Sequence, residues 1–154
     1  MLYFQIPYEI QTVVKKESSL TGKSIRQIVL EKLRGETVDK VFSPELKANL
    51  KKLDEISFLK KNWNGNHAKP ICKKIIKKSK ILVIDLDKQP QIFPTANDSI
   101  QIEYDGINNS YLEFQITKKN VMSYYMVDKN GSEKTGNIDY SSSAVNKLVG
   151  AFYG

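Results

Sequence analysis

The feature that most constrains this chain is a change of hydrophobic period near Pro90. Downstream of it, apolar residues recur every second position, in Ile92-Phe93, then Ile100, Ile102 and Tyr104, then Leu112, Phe114 and Ile116, then Val121 to Val127. That alternation predicts four strands, and the short connections between them make the strands an antiparallel meander. Lys129-Asn130-Gly131 is a hairpin signal leading to a fifth, weaker strand around Ile138. Ser141 to Ser143 then offer caps for a last helix, with Ala144, Val145, Leu148, Val149 and Phe152 turned inward. Upstream of Pro90 the spacing is helical. Ser43-Pro44-Glu45 opens a helix striped by Leu46, Leu50, Leu53 and Ile56 or Leu59. Trp63-Asn64-Gly65-Asn66 breaks it, with Trp63 expected as a core anchor whose N–H finds a partner, and Pro70 opens another helix carrying Ile71, Ile75, Ile76, Leu82 and Val83. Residues 44–154 therefore read as an α+β domain, an antiparallel sheet of four to five strands with helices on one face.

Residues 1–36 form a different unit, joined by a polar linker at 37–43. Leu2 to Ile6 alternate as a short strand ending at Pro7, and from Tyr8 the period is helical, with Ile10, Val13 and Val14 on one face. Thr21-Gly22 closes that helix. Ser24-Ile25-Arg26-Gln27 is a capping box, Ser at the cap and Gln three residues on, followed by Ile25, Ile28, Val29 and Leu33 on one face and Gly35 as the stop. Below roughly 40 residues a lone core is marginal, so such a unit needs a partner.

The order strand, helix, Gly turn, capped helix, carried by Phe4-Gln5-Ile6-Pro7, Leu20 to Ser24 and Ile25 to Leu33, resembles the ribbon-helix-helix repressors and antitoxins. The resemblance covers about a quarter of the chain and implies a homodimer whose paired strands lie in the major groove of operator DNA. If Leu2, Phe4 and Ile6 point into the dimer, Tyr3 and Gln5 point at the bases. Glutamine can bond adenine in a bidentate way, and tyrosine can reach a phosphate or a thymine methyl. The start of the second helix, with Ser24 as cap and Lys23 and Arg26 beside it, is the expected phosphate anchor.

The net charge of +7 favours an anionic partner such as nucleic acid. All but Arg26 and Arg34 of the 24 basic residues are lysines, and half of those lysines lie between Lys47 and Lys80, mostly on polar helix faces, so a solvated surface is the competing reading. One cysteine, Cys72, and one histidine, His67, leave no zinc ligand set within a chain. No catalytic residue, metal or cofactor is expected. No apolar run approaches the ~18 residues of a membrane span, and no signal peptide is visible, which points to the cytoplasm.

Two features of the larger domain bear on function. Glu103 and Glu113 should share a sheet face with Gln101 and Gln115, either as the wet side of the sheet or as a carboxylate pair for acid/base or metal chemistry. If Val121, Tyr125 and Val127 face the core, Met122, Tyr124 and Met126 form an opposite surface suited to a partner protein; otherwise the helices cover that side. The segments Trp63 to Ile71, Phe93 to Ala96 and Ser99 to Tyr104 are similar to a pattern in small bacterial and phage reading frames that names no activity. The expected function is a dimeric DNA-binding antitoxin or autorepressor, with a protein partner such as a toxin. The alternatives are a phage-type host-interaction protein using the N-terminal unit only to dimerise, and a metal-dependent hydrolase.

Overall fold

A computed structural model describes residues 8–25, 27–28 and 43–154. The chain divides into two compact units, Met1–Lys47 and Ala48–Gly154. Tyr3, Gln5, Arg26 and the stretch 37–42 lie outside the described residues.

In the first unit, α1 spans Tyr8–Thr21. It ends where Gly22 turns left-handed at φ +69°, its N–H reaching the Ser18 carbonyl at 3.0 Å. Glycine suits this place because a Cβ is disfavoured at positive φ. Ile25, Gln27 and Ile28 are helical, and Val14 and Ile28 are buried.

The helix α2, Pro44–Ser57, starts in the first unit and runs into the second. Ser43 Oγ caps it by accepting the Leu46 N–H at 3.1 Å. Within the second unit, Leu53 and Ile56 are buried, and Asn49 donates to the Gln89 side chain and the Pro90 carbonyl, both at 3.0 Å. The turn after α2 is closed by Trp63, whose indole N–H donates to the Lys69 carbonyl at 2.9 Å.

The next helix, α3, spans Lys73–Ile84 and starts later than Pro70. Ile71 is buried before the helix begins, and Cys72 is held extended while its N–H donates to Asp98 Oδ1 at 2.7 Å. The backbone of Cys72, at φ −69° and ψ 148°, is extended and not helical, so the helix begins after it.

Five strands follow: β1 Gln91–Thr95, β2 Ser99–Asp105, β3 Tyr111–Ile116, β4 Val121–Val127 and β5 Glu133–Asp139. They form one antiparallel sheet in the order β1-β2-β3-β4-β5. Asn108 and Asn109 carry consecutive positive φ of 53° and 60° between β2 and β3, the geometry that primed hairpin turns require and asparagine tolerates. Between β4 and β5, Asp128 Oδ1 accepts the amides of Asn130 and Ser132 at 2.8 and 2.9 Å around Gly131. The last helix, α4, spans Ser142–Tyr153, with the Ser141 hydroxyl accepting the Ala144 N–H.

Among the described residues, the helices cover one face of the sheet. Ile102, Phe114 and Tyr124 stand opposite one another across β2, β3 and β4, and Ile102 and Phe114 are fully buried. Helix α3 contacts β2 and β3, and α4 contacts β5. Lys78 of α3 reaches over the β3–β4 turn, its ammonium donating to the carbonyls of Thr117, at 2.9 Å, and Lys119.

The fifth strand pairs with β4 along its whole length although Glu133–Asp139 is polar, because β4 supplies the ladder and Tyr124 fills the space above Gly136. A Cβ at Gly136 would stand 2.7–2.9 Å from the Tyr124 ring. Gly136→Ala is therefore expected to lower stability by roughly 1–3 kcal/mol, the usual effect of overpacking. Urea unfolding checks this as a lower midpoint at unchanged slope; an unmoved midpoint would mean that Tyr124 swings aside at no cost.

Candidate functional site

Two regions bear on function, one in each unit. In the first unit the capping box is formed as its sequence implies. The Ser24 N–H donates to Gln27 Oε1 at 3.0 Å, and the Gln27 N–H donates to Ser24 Oγ at 3.2 Å. Lys23 precedes it, its amide on Thr21 Oγ1 at 3.3 Å and its carbonyl accepting the Ser18 hydroxyl at 2.7 Å. The side chains of Lys23 and Ser24 thus flank an exposed helix start. Leu20 and Ile25 nearby are exposed at 78% and 43%.

The second region is the sheet, where one expectation is corrected. Register pairs Leu112 with Met126 and Phe114 with Tyr124, so Met122, Tyr124 and Met126 belong to the helix-covered face. Met122 is 0% exposed and is core, while Val121, assigned inward as an alternative, is 44% exposed. Met122 therefore takes no part in a surface for a partner. Met126 lines a cleft of about 500 Å³ at the end of the sheet, together with Gly106, Ile107, Ser110, Phe152 and Tyr153.

The uncovered face carries the polar arrangement expected from the sequence. Glu103 stands opposite Glu113, and Gln101 opposite Gln115. Gln101 Nε2 donates to Glu103 Oε1 at 2.6 Å and to Glu113 Oε2 at 2.8 Å. An amide has two hydrogens, so these contacts use both, and the Tyr111 hydroxyl at 3.3 Å is a neighbour of that nitrogen only. The Tyr111 hydroxyl itself donates to Glu113 Oε2 at 2.6 Å. Burial, then hydrogen bonding to Glu113 and Glu103, pushes the Tyr111 phenol well above its ordinary range, so it stays a donor at neutral pH. Gln115 Nε2 donates to Ser99 Oγ at 2.9 Å, and Ser99 shares a bond of 2.5 Å with Thr95.

Extending the register across β4 brings Tyr125 opposite Glu113, and the Tyr111 and Tyr125 ring centroids are 6.4 Å apart. Phe93 stands opposite Gln101 on β1, with the Lys52 ammonium 4.5 Å from its ring centroid. The face is thus a row of fixed carboxylates flanked by aromatic rings, an arrangement that accepts cations. Among the described residues no group of three or more His, Cys, Asp or Glu is placed to hold a metal ion. Sequence reasoning paired the carboxylates but missed Tyr125 and Phe93 beside them, since only the strand register brings those rings to the same side.

No described helix is long and apolar enough to cross a membrane. Comparison with protein-family models, curated proteins and solved structures finds no match.

Proposed function

We propose that the chain is a cytoplasmic, dimeric DNA-binding protein of the antitoxin or autorepressor kind, whose larger domain binds a partner protein. The observation that carries this reading is the reciprocal capping box of Ser24 and Gln27 directly after the left-handed Gly22. A helix start of this kind presents amides and a positive dipole end to a phosphate. The box engages the amides of Ser24 and Gln27, so a phosphate would be taken by the other first-turn amides, such as that of Ile25, with Lys23 adding charge. The exposed Leu20 and Ile25 support a second copy, since a unit of this size leaves apolar surface to cover. Tyr3 and Gln5 are the proposed readers of base edges, and Arg26 a further phosphate contact.

The test is fluorescence anisotropy with the DNA upstream of the protein's own reading frame, against a scrambled duplex. Lys23→Ala should weaken binding to both DNAs alike and lower the salt slope by about one per lost phosphate contact. Gln5→Ala should reduce the ratio between the two DNAs by roughly tenfold, as loss of a bidentate base contact does. Binding indifferent to both changes would refute the reading. The second reading, a host-interaction protein that uses the N-terminal unit only to dimerise, draws on the uncovered sheet face, and it requires equal affinity for the two duplexes.

A further inference from the structure

The uncovered face of the sheet has a charge pattern opposite to that of the chain. Its strand positions are set by register: Gln91, Phe93 and Thr95 on β1, then Ser99, Gln101, Glu103 and Asp105 on β2, then Tyr111, Glu113 and Gln115 on β3. On β4 and β5 they are Val121, Ser123, Tyr125 and Val127, then Glu133, Thr135, Asn137 and Asp139. These positions hold the carboxylates of Glu103, Asp105, Glu113, Glu133 and Asp139 and no lysine or arginine, in a chain whose net charge is +7. Lysines crowd the helices instead, so the face is segregated from them. Apolar surface is interleaved with the acids, Phe93 and Val121 being exposed. The face already holds one cation of its own chain, the Lys52 ammonium over Phe93.

We propose that this face docks an arginine- or lysine-bearing segment of a partner protein. This deepens the partner-binding half of the reading above and is independent of its DNA-binding half. Gln101 and Tyr111 hold Glu103 by its Oε1 and Glu113 by its Oε2, which fixes the carboxylate oxygens on this face. A guanidinium lying on Tyr111 or Tyr125 reaches those oxygens, combining ring and carboxylate contacts. Side chains already fixed by hydrogen bonds lose little freedom on binding. Five strands span roughly 19 Å at the usual spacing, which matches a polypeptide segment better than a small cation.

The experiment titrates the full-length protein into fluorescein-labelled octa-arginine, with octa-glutamate as the opposite probe. The double variant Glu103→Gln/Glu113→Gln keeps shape and hydrogen bonds while removing the charges. It should weaken octa-arginine binding at least tenfold and leave octa-glutamate binding within twofold. Ser123→Lys, which adds a cation at an exposed position of the same face and disturbs no bond within it, should do the same. Absence of octa-arginine binding, or binding equal in wild type and both folded variants, overturns the proposal. So does sedimentation equilibrium in which the double variant halves the mass of the assembly, because the face would then be covered by a second copy. A protein that discriminates DNA yet ignores octa-arginine overturns the docking face alone.

Discussion

Phe114→Ala is expected to lower the stability of the larger unit by about 3–5 kcal/mol, the range for removing a buried aromatic ring from a core. Phe114 sits on the middle strand, fully buried, with Ile102 opposite it on one side and Tyr124 on the other. Its ring meets Tyr104 edge-on, centroids 6.3 Å apart at 90°, and Tyr124 at 6.4 Å and 49°. Truncation therefore removes buried apolar area, leaves a cavity between two rings held from neighbouring strands, and abolishes both aromatic pairs. The neighbours have little room to collapse, because Tyr124 is fixed over Gly136 and the Tyr104 hydroxyl donates to the Lys88 carbonyl at 3.0 Å. Against a typical total of roughly 5–15 kcal/mol this is a large fraction of stability. Thermal unfolding followed by circular dichroism should show the midpoint falling by on the order of 15 °C. A fall of only a few degrees would mean that Phe114 is not at the centre of the core.

Asp98→Ala is the second large effect, expected at about 2–4 kcal/mol from the loss of an amide's acceptor and the placing of alanine in a left-handed conformation. Asp98 lies between β1 and β2 at φ +56°, where aspartate is tolerated better than alanine. Its Oδ1 accepts the N–H of Cys72, the residue just before α3, at 2.7 Å, and its Oδ2 pairs with Lys118 at 2.8 Å. Lys118 is well exposed, so that pair is partly screened. Asp98→Asn should lose far less than the alanine variant, because an amide oxygen still accepts from Cys72 and asparagine also tolerates positive φ.

The two substitutions also separate charge from geometry by pH. Burial opposes ionisation of Asp98, but the hydrogen bonds from Lys118 and the Cys72 amide, with the Lys118 and Lys69 charges, outweigh it and hold the carboxyl below its ordinary range. A carboxyl lowered in the folded state contributes stability that is complete above the unfolded value near pH 4 and is lost as pH falls through the folded value. Wild type should therefore exceed Asp98→Asn by a constant margin at neutral pH, and the margin should shrink below about pH 4. A margin independent of pH would show that the charge contributes nothing.

Much of the larger domain was legible in its sequence because β2 and β3 alternate without ambiguity. Ile100, Ile102 and Tyr104 face in while Gln101 and Glu103 face out, and Leu112, Phe114 and Ile116 repeat the pattern. From β3 the pairing of Glu103 with Glu113 followed directly. Strand β4 is different, since Val121, Met122, Tyr124, Tyr125, Met126 and Val127 place apolar or aromatic residues on both sides. Alternation then says nothing about which side is inward, and only pairing to β3 decides it. The acidic and aromatic outer face escaped sequence reading for a related reason: its members are spread over five strands and converge only through register. The anchoring of the chain just before α3 was hidden because Asp98, which accepts the Cys72 amide, lies 26 residues away.

Selection of bound duplexes from a random pool with the full-length protein decides whether the proposed dimer reads DNA. A two-fold dimer carrying one reading strand per copy predicts enrichment of an inverted repeat, with both halves lost together on raising salt. A pool that shows no enrichment, or enriches a single motif without dyad symmetry, would contradict it.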